Sequence, residues 1–374
     1  MKLGRGKRVV IKVGTNLLTD LESGINEAWI ARFAASISVL HSAGVQIAIV
    51  SSGAIGAGVA ALKLKRRPST MPGKQAAAAV GQPLLMGAYD RAFRPHGIPI
   101  GQVLLTRDDL ALRSRFVHAK QTFADLFARG VVPIINENDT VAVEEIKLGD
   151  NDNLSAIVAN LLGADLLILL SDIDGLYSDD PHRAPEAELI PVVERLTAHI
   201  ERSARKSASD LGTGGMITKL QAARTSTAAG IAMIIAGGHR PEILGEISTG
   251  NFRGTLFLPA KTPLTIKKNW IGFVSRTRGA VVIDAGACTA LTRKHSSLLP
   301  SGVIDIIGVF DTGDTIAVRS VSGEEIARGI TGFSSHDVAR IKVLRTDAVE
   351  RLIGRRASFE IIHKDNLAIL IEHA

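Results

Sequence analysis

The chain has 374 residues, 46% of them apolar but only 4% aromatic, and carries a formal net charge of +7. That length allows two domains, and a core of Ala, Val, Ile and Leu suits helices on a parallel sheet better than a β-sandwich. The single Cys288 excludes an intramolecular disulfide framework and fits a reducing compartment.

Residues 9–13 read as a short apolar strand that holds Lys12 near its end and runs into Gly14-Thr15-Asn16. An ammonium in such a strand either snorkels from the strand end or meets a ligand or counter-charge, and Gly14 lets backbone approach closely. A helix is expected over 26–42 and a second strand over 45–50. The string Ser51-Ser52-Gly53-Ala54-Ile55-Gly56-Ala57-Gly58 then opens a helix. Small residues and free N–H groups at a helix start attract anions, or simply permit close helix–sheet packing. No Lys-Ser or Lys-Thr follows these glycines, so this is not a Walker A loop.

Helices are expected around 74–93 and 116–129, and strands at 103–105, 131–135, 166–170 and 233–236. The alternation implies crossover units and a mainly parallel sheet. Between residues 136 and 153 lie two acid/amide clusters, Asn136-Glu137-Asn138-Asp139 and Gly149-Asp150-Asn151-Asp152-Asn153. Apolar runs bracket both, placing the first at the end of a buried strand and the second at the start of a helix. Carboxylates and amides at the carboxyl edge of a sheet are suited to a small polar ligand. Leu154 and Ser155 break any calcium-loop pattern.

The strand at 166–170 runs into Ser171-Asp172-Ile173-Asp174-Gly175, read as a nucleotide-holding turn or an ordinary Asp-Gly turn. Residues 184–210, rich in Ala, Glu, Arg and Ser, are expected to be helical and exposed, and 207–215 to be a mobile Ser/Gly loop. Gly212-Thr213-Gly214-Gly215-Met216-Ile217-Thr218-Lys219 leads into a helix carrying Lys219 in its first turns, a phosphate cradle in logic without P-loop spacing. After Pro263 the pattern changes to short alternating strands with turns every eight to twelve positions, a small β-barrel or sandwich.

No apolar stretch reaches membrane length, since 161–170 is broken by Gly163 and Asp165, and no secretory signal is visible. A cytoplasmic protein with no membrane association is expected. The positive charge is read as solubility.

Together the motifs suggest phosphoryl transfer. Two lysines from distant segments can spread over the oxygens of a transferring phosphoryl group. No His or Cys constellation lies near either, which fits a carboxylate acceptor that is already ionised at neutral pH.

The strings around Lys12, Ser51-Ser52-Gly53, the two acid/amide clusters and Gly212–Lys219 occur in an order that resembles the glutamate 5-kinases of the amino acid kinase superfamily. The last third resembles their C-terminal PUA domain. The resemblance implies an α/β chain: a three-layer αβα sandwich with an open, mainly parallel sheet over 1–266, and a small β-barrel-like PUA domain with a C-terminal extension over 267–374. It implies that ATP, with Mg2+, phosphorylates L-glutamate to γ-glutamyl phosphate in the first step of proline biosynthesis.

On the same basis Lys12 and Lys219 contact the phosphates and Asp152 orients them. Ser52, Gly53, Asp139, Asp150 and Asn151 hold glutamate. Ser171, Asp172, Thr213, Gly214, Gly215, Met216, Ile217 and Thr218, with the two lysines, bind ATP, and no protein side chain is assigned to a metal. L-Proline is expected to inhibit at or over the glutamate site, and the chain to form a dimer or tetramer. Two positions depart from many members, Asn16 in place of Ser and Gly56 in place of Ala. PUA domains elsewhere bind RNA, but residues 276–356 hold twelve Lys/Arg against nine Asp/Glu and no aromatic strip, which favours a structural or regulatory role. The acids at 139, 150 and 152 favour a free ammonium over a phosphorylated acceptor, against sister kinases, and the presence of Lys12, Lys219 and Asp152 argues against an RNA-binding or regulatory protein on a kinase fold that has lost catalysis.

Overall fold

The computed structural model describes residues 3–20, 23–141, 151–179, 186–197, 215–353 and 359–370, together with 181, 184 and 200. The chain divides into two compact units, Met1–Pro263 and Leu264–Ala374.

The first unit is built on strands β1 (Arg8–Val13), β4 (Gln46–Ser51), β5 (Ile100–Leu105), β6 (Val132–Glu137), β7 (Leu166–Ser171), β8 (Val192–Val193), β9 (Ala232–Gly237) and β10 (Gly254–Phe257). A two-stranded ribbon, β2 (Thr19–Asp20) with β3 (Gly24–Ile25), lies apart. The large sheet has the order β5-β6-β4-β1-β7-β9-β10-β8. The six strands from β5 to β9 are mutually parallel, and β10 runs antiparallel to β9. Each of those six is six residues long. Their carboxyl ends therefore line one edge, where the order reverses around β1 and a ligand crevice is expected.

Side chains alternate between the two faces. Val9, Ile11 and Val13 of β1, Ile47 and Ile49 of β4, Val132 and Ile134 of β6, and Leu166, Ile168 and Leu170 of β7 share one core. Facing them are helices α2 (Glu27–Ser42) and α4 (Met71–Phe93). Lys12 and Ser171 have the opposite parity and point toward the second layer, which holds α7 (Asn151–Leu162) and α8 (Met216–Ala228). Ser51 and Asn136 have the core parity and point toward α4. The strand period thus sorts the polar strand ends onto two sides of one edge.

α7 is buried nearly all round, with ten of its twelve residues inaccessible, and it ends at Gly163 in the left-handed conformation (φ 60°). Helix α3 (Ala54–Ala61) crosses α4 at glycine: a Cβ on Gly81 would lie 1.8 Å from the Ala54 carbonyl oxygen, and one on Gly58 would lie 1.8 Å from that of Ala77. Glycine is required here by space alone, and the contact brings α4 against the start of α3.

The second unit has a mixed sheet in the order β12-β11-β13-β14-β15, with β11 (Thr277–Ile283), β12 (Val303–Ile307), β13 (Thr315–Ser320), β14 (Glu325–Ile330) and β15 (Leu367–Ile369). Its core gathers Val281, Ile283, Phe310, Ile316, Val318 and Phe333. Helices at Ala285–Lys294, Ser335–Ile341 and Thr346–Ile353 interrupt the strands, which the alternating pattern does not announce. The first is started by Asp284, whose carboxylate accepts from the Ala287 N–H.

One expectation is corrected. Residues 186–197 are not helical: Leu189 bridges Tyr177, and β8 pairs with β10 at the sheet edge. Pairing with a distant strand overrides the helical composition. The 207–214 stretch lies outside the described residues. Among the described residues no helix is long and apolar enough to cross a membrane.

Gly81→Ala is expected to destabilise the protein by about 3 kcal/mol, because the methyl group meets backbone rather than a movable side chain. Urea denaturation measures this; wild-type stability would mean that α3 and α4 can separate without cost.

Candidate active site

Asp152 lies in the first turn of α7 with no solvent exposure. The positive end of a helix dipole favours a carboxylate there, but a fully buried charge needs partners. It has two. Lys12 Nζ from β1 lies 2.7 Å from Oδ1, and Lys219 Nζ from α8 lies 3.3 Å from Oδ2. Both lysines are themselves about 5% exposed or less. The Thr218 hydroxyl is 2.9 Å from the same Oδ2 and 2.8 Å from the Gly215 carbonyl, sharing one proton between them. Two ammonium groups thus meet around one carboxylate in a desolvated place, and the charge of Lys219 also reaches Asp172.

Uncapped helix starts lie at the same sheet edge. α8 starts at Gly215 with no side-chain cap, and so does α3 at Gly53 (φ 101°). The short helix α1 (Thr15–Leu18) also follows Gly14 without one. Uncapped helix starts leave N–H groups for a ligand. Gly14 sits close, since a Cβ there would be 3.9 Å from Lys12 Nζ and 3.5 Å from the Leu170 carbonyl oxygen.

Ser171 ends β7 on this side, and its hydroxyl donates to Asp172 Oδ1 at 2.9 Å. Asn16 Nδ2 donates to Asp172 Oδ2 at 3.1 Å. Desolvation pushes the Asp172 pKa up, but the hydrogen bonds from Ser171, Asn16 and its own backbone and the charge of Lys219 outweigh it, so the group titrates below the ordinary 3.8. A carboxylate so depressed contributes stability that is complete above about pH 4 and fades as pH falls through the lowered native value.

The other side of the edge is made of amides and hydroxyls. Asn151, next to Asp152, turns its Nδ2 to the Ser51 carbonyl (3.1 Å), Ser52 Oγ (2.9 Å) and Asn136 Oδ1 (3.0 Å). Asn136 Nδ2 donates to Gln82 Oε1 on α4 at 2.9 Å. Ser51 Oγ donates to the Ser52 carbonyl at 3.0 Å and lies 3.0 Å from Tyr89 OH. Burial raises the Tyr89 pKa well above the ordinary phenol value, and the Ser51 hydrogen bond lowers it only in part, so the ring stays neutral and can donate.

The structure thus gathers Lys12, Asp152, Lys219 and Thr218 in one cluster, Ser52 and Asn151 in a second, and Ser171 and Asp172 in a third. Gly53 starts α3, and Asp139 is half-buried just past β6. Gly215 is exposed, with Met216 and Ile217 half-buried behind it in the first turn of α8. Asp150, Thr213 and Gly214 lie outside the described residues. Sequence reading missed Gln82, Tyr89 and the role of Asn136. A signal existed: Gln82 falls in the buried stripe of α4 with Ala78, Leu85 and Tyr89, where a polar side chain needs a partner.

The profile of the amino acid kinase family matches residues 7–237, and that of the PUA domain matches residues 279–353. The glutamate 5-kinase of Geobacter sulfurreducens is 47% identical over 98% of this chain and 99% of its own. That of Geobacter metallireducens is 48% identical over the same shares. This chain belongs to the amino acid kinase family and, within it, to the glutamate 5-kinases. The glutamate 5-kinase of Thermoanaerobacter pseudethanolicus is 44% identical over 97% of the chain and 98% of its own length. As a glutamate 5-kinase the chain is an α/β kinase with a separate C-terminal PUA unit.

Asp152→Asn is expected to cost about 3 kcal/mol of stability, because it leaves two desolvated ammonium groups without their counter-charge. Urea denaturation without nucleotide is the measurement; an unchanged midpoint would show that the lysines reach solvent or other acceptors instead.

Proposed function

We propose that the chain transfers the γ-phosphoryl group of ATP to the side-chain carboxylate of L-glutamate, giving γ-glutamyl phosphate and ADP as the first step of proline biosynthesis. The observation that carries this reading is the buried Lys12–Asp152–Lys219 cluster lying next to an amide and hydroxyl shell through the adjacent residues Asn151 and Asp152. Near-full-length similarity to proteins named glutamate 5-kinase supports it.

A glutamate γ-carboxylate oxygen attacks Pγ. The new bond is C–O–P, the bond between Pγ and the bridging oxygen breaks, and its electron pair leaves with ADP. The acceptor is ionised at neutral pH, so no general base is required. What the site supplies is position and charge. Lys12 and Lys219 lie on either side of Asp152, which fixes them before nucleotide arrives. Their ammonium groups and the uncapped start of α8 meet the phosphate oxygens. Ser171, Asp172, Gly215, Met216, Ile217 and Thr218 line the nucleotide side, with Thr213 and Gly214 completing that segment.

Asn151, Ser52, Gly53, Asp139 and Asp150 hold glutamate, whose α-ammonium suits acids and amide oxygens. Magnesium fits this reading as part of the nucleotide, since the Asp152 oxygens already face Lys12, Lys219 and Thr218. Bound there it would neutralise phosphate charge.

L-Proline, an amino acid of similar polar end, acts as feedback inhibitor over the glutamate subsite, and the enzyme works in the cytoplasm as a homo-oligomer. Residues 1–266 form the catalytic domain, and the PUA domain over 267–374 has a structural or regulatory role.

With hydroxylamine present to trap the acyl phosphate, ATP consumption should produce glutamate-dependent hydroxamate that L-proline suppresses. Hydroxamate with aspartate or acetylglutamate instead would move the chain to a sister activity. Lys12→Ala and Lys219→Ala should each lower kcat by about two orders of magnitude or more in a folded protein; near-normal turnover would remove that lysine from the mechanism.

A further inference from the structure

The polar shell beyond Ser52 does not end at the sheet. It continues into α4 through Gln82, a residue with no place in the transfer chemistry. Gln82 is 9% exposed and its Oε1 accepts from Asn136 Nδ2. The orientation of both asparagine amides is fixed by a backbone group that has only one role. The Glu137 N–H can only donate, and it lies 2.9 Å from Asn136 Oδ1, so that atom is the oxygen. The Ser51 carbonyl can only accept, and it lies 3.1 Å from Asn151 Nδ2, so that atom is the nitrogen. Asn136 must then present its –NH2 to α4, and the only complementary answer there is an acceptor.

We propose that Gln82 is a positioning residue for the amino-acid subsite: by accepting from Asn136 it locks Asn136 and, through it, Asn151, so that Asn151 presents Oδ1 outward as an acceptor for a substrate ammonium.

Remove that acceptor and the Asn136 –NH2 is buried without a partner. The amide then gains by flipping or rotating, its oxygen leaves the Glu137 N–H, and Asn151 loses one of its three anchors. The subsite loses the arrangement that prefers a free ammonium over an acylated amine. Gln82 touches no reacting atom, and its effect runs through the two asparagines. Its placement depends on the glycine contact between α3 and α4, which sets the distance of α4 from the sheet.

The inference rests on the functional reading above, and the test separates the two. Steady-state kinetics of the full chain are measured for wild type, Gln82→Glu, Gln82→Met and Gln82→Ala, varying glutamate at saturating ATP and then the reverse. Gln82→Met keeps the shape and removes the acceptor; it and Gln82→Ala should raise the glutamate KM about tenfold with the ATP KM unchanged. Gln82→Glu keeps an acceptor oxygen and should restore the wild-type glutamate KM. An unchanged glutamate KM in Gln82→Met overturns the proposal. So does equal damage in Gln82→Glu, or an ATP KM that rises in step. Failure of both non-accepting variants to fold while Gln82→Glu folds also counts against it, since Gln82 would then serve the core. A wild type that acts on another amino acid has the same shift read on that acceptor. A wild type inactive on all carboxylates defeats the functional reading, and calorimetric binding of L-glutamate to wild type and Gln82→Met then decides the inference.

Discussion

One carboxylate organises this molecule. Asp152 is fully buried and is a counter-charge to both lysines beside it, in a place where charge is costly without one. The three groups come from a strand, a helix start and a second helix start that are far apart in the chain. The sheet order brings them together: β1 and β7 are neighbours at its centre, and α7 and α8 pack over that same side. Two ammonium groups held this close suit an anion, and the uncapped start of α8 favours the same ligand.

The edge has a second side with the opposite chemistry. Toward α4 it offers amides, hydroxyls and a neutral tyrosine in place of formal charge. Two adjacent residues of α7 join the sides, Asn151 reaching over the ends of β4 and β6 while Asp152 faces the lysines. A small polar acceptor and a polyphosphate can thus be held within one residue's reach of each other, which is what an in-line transfer requires.

Much of this was legible before any coordinates. Short apolar runs with helices between them gave the parallel sheet, and the two acid/amide clusters fell where a strand ends and a helix begins. Lys12 stood out as a charge at the end of an apolar strand. Lys219 is legible beside its glycines and Asp152 within its acid/amide cluster, but no local pattern makes that aspartate the partner of both lysines; the resemblance to a known family supplies that link. Gln82 is hidden among Ala and Gly in a helix of low polarity, and periodicity does not show that Asn136, on a strand far along the chain, faces it. Residues 186–197 misled for a related reason: Ala, Glu and Arg favour helix locally, yet Val192–Val193 finds its partner in β10, a non-local pairing that composition does not encode. The helices inside the second unit show the same limit, since Asp284 is a cap only once its neighbours have turned.

The six parallel strands share a length of six residues, and the site depends on the odd–even order within them. A single-residue insertion inside β1 would rotate Lys12 into the apolar layer beside α2, and one inside β4 would swing Ser51 from Tyr89 to the cationic side. Insertions at the opposite edge of the sheet, away from the carboxyl ends, leave that parity untouched. Reading frame in the geometric sense is therefore confined to the strands and the short turns that leave their carboxyl ends, where Ser52, Asp139 and Asp172 follow closely.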